Sequence, residues 1–162
     1  MKRAIAIGSA MAIALCAVAI LSAQGKDFSG KWTAEAPAAG AAAAGGGGGR
    51  GGGMGGGPMT IAMDAKTMKV TRTNQAGETT VAYNLDGTDS KNMVAGRGGA
   101  EPTEQITNAK WEGAVLVLTT KGANGNTVAK YSLDGAKLKV ETTRPGRQGG
   151  DPTTTTTTFT KG

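Results

Sequence analysis

The residue types that usually do chemistry near neutral pH are almost absent from this sequence. It has no histidine and a single cysteine, Cys16, so the common general base, the thiol nucleophile and the usual transition-metal ligands are missing. Asp64, Asp86, Glu112 and Asp134 lie in short turn-like stretches, where backbone needs account for an acid. Catalysis by paired carboxylates needs two acids converging in a cleft, one of them kept protonated. No serine or threonine is accompanied by a credible base, and Asp86-Gly87-Thr88-Asp89-Ser90 departs from calcium-loop spacing. The chain therefore reads as a non-enzyme, with no catalytic residues, no metal site and no cofactor. Two other sets of residues suit binding. Arg50, Arg97, Arg144 and Arg147 stand among glycines or prolines; as loop charges they solubilise, and as guanidinium forks they suit carboxylate, phosphate or sulfate groups. Met63, Met68, Tyr83, Trp111, Tyr131 and Phe159 fall on the apolar side of alternating segments. Each is first of all a core residue; around a cavity, the same methionines would adapt to varied ligands and the tyrosine hydroxyls would meet a polar head.

The elements that must position these residues begin after a targeting segment. Lys2 and Arg3 precede an uncharged apolar run from Ala4 to Leu21, followed by Ser22, Ala23 and Gly25, which is the pattern of a cleaved signal peptide over residues 1–25. Cys16 lies inside that run after Leu15 rather than after a small residue, so cleavage fits better than lipidation, and the mature chain should carry no thiol. Of 18 basic residues, losing Lys2 and Arg3 leaves 16 against 12 acidic ones, a mild excess that favours anionic partners only weakly. Residues 26–162 read as a single domain, with an Ala/Gly-rich flexible loop over 36–58 that holds Arg50 as its sole charge and cannot bury a core.

After that loop the chain alternates apolar and polar residues between turn signals. Met59, Ile61 and Met63 share one face, as do Met68 and Val70; Val81, Tyr83 and Leu85; Ala109 and Trp111; Leu116 and Leu118; Ala129, Tyr131 and Leu133; and Leu138 and Val140. Lysines, threonines and Glu141 occupy the other face. This is the two-residue period of half-buried strands, and its charged outer face argues against a membrane-spanning barrel. An offset of 48 residues aligns Tyr83-Asn84-Leu85-Asp86-Gly87 with Tyr131-Ser132-Leu133-Asp134-Gly135 and sets Met68 and Val70 on Leu116 and Leu118. The spacing predicts a duplicated four-stranded meander. With Phe28 to Glu35 and Thr153 to Lys161 it makes an all-β, antiparallel, up-and-down sheet of about 8–10 strands, a closed or nearly closed barrel whose first strand meets its last. Strand parity then gathers the tight acidic turns at one end and the long glycine- and arginine-bearing connections at the other, where the four arginines would ring a mouth.

Phe28-Ser29-Gly30-Lys31-Trp32 resembles the Gly-x-Trp signature at the first strand of the lipocalin and fatty-acid-binding barrels, and the chain is similar to the small exported lipocalin-like (calycin-type) domains of bacterial envelopes. The resemblance implies structural roles for Gly30 and Trp32 and a small apolar or amphipathic ligand inside the barrel. The expectation is thus a periplasmic or secreted binding protein, not membrane-spanning once the signal is removed. The alternative is a structural or interaction protein of the envelope, its barrel filled by its own side chains and its loops touching an anionic polymer or a protein. Gly-Arg-Gly-Gly at 49–52 and 96–99 lacks interleaved aromatics to stack bases, so no nucleic-acid partner is expected.

Overall fold

The computed structural model describes residues 26–36, 57–74, 77–95, 101–146 and 150–162; the expected targeting segment and most of the Ala/Gly-rich loop lie outside them. Ten strands follow in chain order: β1 Gly30–Ala34, β2 Met59–Met63, β3 Thr67–Asn74, β4 Gly77–Asn84, β5 Asp89–Val94, β6 Thr103–Glu112, β7 Val115–Thr120, β8 Thr127–Asp134, β9 Lys137–Arg144 and β10 Thr153–Lys161. They form one antiparallel sheet in the order β4-β3-β2-β1-β10-β9-β8-β7-β6-β5. Among the described residues no helix is long and apolar enough to cross a membrane. The first strand meets the last, with Trp32 opposite Lys161 and Ala34 opposite Phe159, so the meander curls into a nearly closed barrel.

The turns follow from local chemistry. Glu112 pairs with Val115 and Asp134 with Lys137, which leaves two-residue loops that begin on Gly113 and Gly135 at φ 62° and 58°. Such tight hairpins need positive φ, and glycine adopts it without steric cost. Asp64 closes the β2–β3 turn by accepting hydrogen bonds from the amides of Lys66 and Thr67 and from the Thr67 hydroxyl, at 2.8, 2.8 and 2.6 Å. Asp86 does the same between β4 and β5, accepting from the amide and hydroxyl of Thr88. These bonds hold both carboxyls below their ordinary range. The acids are occupied in shaping turns, as their positions in the sequence imply.

The alternation read from the sequence is the alternation of the barrel wall. The inward residues Ile61, Met68, Val70, Ala109, Leu116, Leu118, Ala129, Tyr131, Leu138, Val140 and Phe159 are buried in one contiguous cluster. Val117, an apolar residue on the outer face, is also largely covered; it is flanked in the ladder by Lys110 and Lys130, whose aliphatic stems suit that cover. The 48-residue offset relates the registers of some ladders but not of β5–β6, where Asp89↔Asn108 would map onto Lys137↔Thr156 while Lys137 pairs with Thr160. It carries Met59↔Arg72 onto Thr107↔Thr120 and Thr71↔Thr80 onto Thr119↔Val128.

Candidate ligand-binding site

The end of the barrel with the tight turns is filled. Phe28, just before β1, is 0% exposed. Its ring stacks on Trp111 at 5.6 Å between centroids and lies tilted against Tyr131 at 6.2 Å. Its backbone is tied down on both sides: its amide contacts the Met63 sulfur at 3.3 Å and its carbonyl accepts the Trp32 indole N–H at 2.8 Å. Trp32 is itself buried, and the Lys161 ammonium stands 5.8 Å from its ring centroid, a cation–π arrangement. The six inward residues singled out in the sequence are brought together here: Met68, Tyr83, Tyr131 and Phe159 are buried, and Met63 and Trp111 pack against them half-buried.

Above this apolar floor the inward positions turn polar. On β3 the sequence Met68, Val70, Arg72 keeps its parity, so the arginine points inward. Its Nη2 lies 3.4 Å from the Met59 sulfur, and it hydrogen-bonds Tyr131. Tyr83, on the neighbouring strand, feels both: burial raises its pKa first, the Tyr131 phenol adds to that, and the Arg72 charge opposes. Burial likewise raises the Tyr131 pKa, with the Arg72 charge and hydrogen bond working against it. Both phenols therefore stay protonated beside a permanently charged guanidinium, a group rich in donors and suited to an anion. Thr107, 0% exposed, shares a 2.9 Å hydrogen bond with Thr120, and Thr142 is buried on β9. Thr155 and Thr157, inward on β10 by the same parity as Phe159, are progressively more open toward the far end. The interior is thus a packed apolar base beneath a hydroxyl-faced upper half, with Arg72, Tyr83 and Tyr131 between the two.

Arg72 is the site residue that the sequence conceals, because an arginine after Val70 and Thr71 reads as one more outer-face charge; only strict parity with Met68 and Val70 gives it away. Of the four expected mouth arginines, Arg144 ends β9 and is exposed at the long-loop end, while Arg50, Arg97 and Arg147 lie outside the described residues.

Gly30 has φ +138°, and a Cβ there would meet Lys161 Cε at 2.6 Å. The lysine tip can move aside; the backbone cannot, since L side chains rarely occupy that region. Gly30→Ala is expected to cost about 1–3 kcal/mol in urea unfolding, and adding Lys161→Ala should fail to restore it. Full recovery in the double variant would show that the cost was the contact alone.

No protein-family model matches the chain, and a sequence search of curated proteins also finds no match. Solved structures do resemble it. A tyrosine-to-phenylalanine variant of the REP1-NXSQ fatty acid transporter superposes with a TM-score of 0.50 at 12% identity, covering 65% of this chain and 71% of the transporter. A point variant of the fluorescent protein UnaG gives 0.50 at 16% identity over 65% and 70% of the two chains. A fatty-acid-binding protein from Manduca sexta gives 0.46 at 17% over 64% and 71%. The chain shares its barrel fold with the first two of these structures.

Proposed function

We propose that this protein is an exported binding barrel that holds a small amphipathic molecule in its upper half, the anionic head of the ligand set on Arg72, Tyr83 and Tyr131. One observation carries the reading: a guanidinium turned into the barrel beside two protonated phenols, at the level where inward apolar residues give way to threonines. A charged donor group in that position costs desolvation, and an anion held there would offset it. The likeness to a fatty acid transporter supports a carboxylate as the head. The signal-peptide pattern of residues 1–25 supports a periplasmic or secreted barrel.

The filled base of the barrel favours a second reading, a structural or interaction protein whose contacts are external. A groove along β1–β4, lined by Lys31, Trp32, Met59, Thr60, Thr71 and Glu78 among others, would then be a place for an anionic polymer or a protein. Native mass spectrometry of the mature protein, purified from the periplasm without detergent, separates the two. The binding reading expects an extra mass that disappears on unfolding, or that forms on adding palmitate; a bare polypeptide mass under both conditions would leave the second reading. The same spectrum gives the mature N-terminus.

A further inference from the structure

β1 is too short to cover β10. It spans five residues against nine, and their ladder runs only from Trp32↔Lys161 to Ala34↔Phe159, with one further bond from the Glu35 amide to the Thr158 carbonyl at 2.8 Å. On its other side β10 stays paired with β9 from Thr153↔Arg144 to Thr160↔Lys137. The part of β10 that outruns β1 is Thr153 to Thr157. Successive residues of an antiparallel strand turn their N–H and C=O groups to opposite neighbours. The Thr158 carbonyl and the Gly162 amide both reach β1, so Thr156 and Thr154 present theirs to the same side, where no described strand stands. Glu35 is held at that level by a 2.7 Å ion pair with Lys137. A ladder continued two residues further would call on Pro37 opposite Thr156, and proline has no N–H to give.

An open strand edge is a template for another chain, and folded proteins blunt theirs with lysine, proline or a bulge. This edge carries none of these: residues 153–158 are six consecutive threonines, a β-branched type that favours strands, and Thr153 to Thr156 are exposed. We propose that the edge of β10 is a self-association site, at which two copies of this chain pair antiparallel about Thr155 and join their sheets. The free groups fix the register. Thr154 of one copy meets Thr156 of the other and exchanges both backbone bonds with it, whereas a pairing centred on Thr156 would demand the Thr158 carbonyl, which the Glu35 amide already holds. A second copy fits because the edge is its own complement, and because in a net basic chain an uncharged stretch is where two copies meet without repulsion. The cross-strand threonine pairs that result are a contact this barrel already makes at Thr71 and Thr80, Thr107 and Thr120, and Thr143 and Thr154, with hydroxyls 2.8, 2.9 and 2.8 Å apart, and such pairs stabilise sheets. On the outer face the joined row runs from Glu141 through Thr156 to Thr154 and Thr143 of the second copy, with no like charges opposed. The contact is short, so the association is weak and reversible. It is independent of what the barrel holds.

Sedimentation equilibrium of the mature protein should show a monomer giving way to a dimer between about 10 μM and about 1 mM. Over the same range the Thr154 and Thr156 amides should gain at least about tenfold protection from hydrogen exchange, the worth of one neutral hydrogen bond, while Thr155 and Thr157, turned toward β9, stay unchanged. Residues 26–162 hold no cysteine, so Thr155→Cys reads the register directly. At the centre of the pairing the two copies of this residue face each other with about 4.5 Å between Cα atoms, within disulfide reach. Mild oxidation of the concentrated variant should give a covalent dimer, and Thr157→Cys, whose counterpart is Thr153, should not. Thr156→Pro removes an edge-facing N–H and no bond to β9, and should weaken association at least about tenfold; Thr154→Lys, a charge of the kind that blunts edges, stands in if the proline variant fails to fold. A monomer at every concentration whose Thr154 and Thr156 amides exchange freely would overturn the pairing. Protection of both amides in a monomer at every dilution would also overturn it, giving the edge to another segment of the same chain, or to a foreign peptide if the native mass spectrum shows one bound. A dimer that ignores Thr156→Pro, or fails to cross-link through Thr155→Cys, would place the contact elsewhere.

Discussion

Phe28→Ala is expected to lower the unfolding free energy by about 3–5 kcal/mol, the cost typical of removing a buried aromatic ring. Phe28 is wholly buried between Trp111 and Tyr131, and its own backbone anchors the Trp32 indole and meets Met63. The substitution keeps those backbone contacts and removes the ring, leaving a cavity walled by large aromatic side chains that cannot collapse into it. The loss is large against the roughly 5–15 kcal/mol that holds an ordinary domain together. Here only 4% of the chain is aromatic, so other rings offer little compensation. Urea unfolding followed by circular dichroism gives the value, with Met93→Ala as the comparison. Met93 is 63% exposed, and its truncation should change stability by no more than about 0.5 kcal/mol. A loss below about 1 kcal/mol for Phe28→Ala would mean that the segment before β1 does not plug the barrel in solution.

Arg72→Met is expected to weaken the binding of palmitate by roughly ten- to a hundredfold while leaving the matching primary alcohol within about threefold, as follows when a hydrogen bond to a charged group worth about 1.5–3 kcal/mol is lost. Methionine keeps an unbranched apolar side chain, shorter than arginine's, and removes both the guanidinium contact with Met59 and the charge that faces Tyr83 and Tyr131. The alcohol makes the test specific: it shares the apolar tail and lacks the anion. The unliganded variant should lose about 1–3 kcal/mol, because the wholly buried Tyr131 hydroxyl loses the guanidinium it hydrogen-bonds. Titration calorimetry with both ligands and a urea curve without them settle the matter. Equal weakening of acid and alcohol would make Arg72 a packing residue, and undiminished palmitate binding would remove the head-group role.

Most of the architecture could be read from the chain because alternation has one cause: a strand with one wet face must place every second residue on the core. Met68, Val70, Leu116 and Leu118 obey it plainly, and Gly113 and Gly135 mark turns that need positive φ. What stayed hidden were the places where an inward residue is polar for a reason outside its own strand. Arg72 keeps the parity of Val70 but looks like a surface charge. Ser90 and Asn92 make β5 resemble a turn in sequence; their polarity answers backbone groups on β4, a strand edge that only the closed sheet creates. Phe28 belongs to the Gly-x-Trp stretch, yet its place beneath the barrel depends on Trp111 and Tyr131, residues far along the chain. Lys161 likewise meets Trp32 only because β10 returns to β1.

That return sets the order in which the chain can fold. The hairpins from β2 to β9 join near neighbours and can form as local units, whereas β1 is completed by a strand at the opposite end of the sequence; the Thr160 hydroxyl reaches the Thr33 carbonyl across 127 positions. Contacts this distant must be made against loop-closure entropy before they return any stabilisation, which places the domain among the slower two-state folders, on the order of milliseconds to seconds. During synthesis the barrel cannot close until β10, the nine-residue partner of β1, has left the ribosome, so the strands made before it must wait as an open sheet with two unpaired edges.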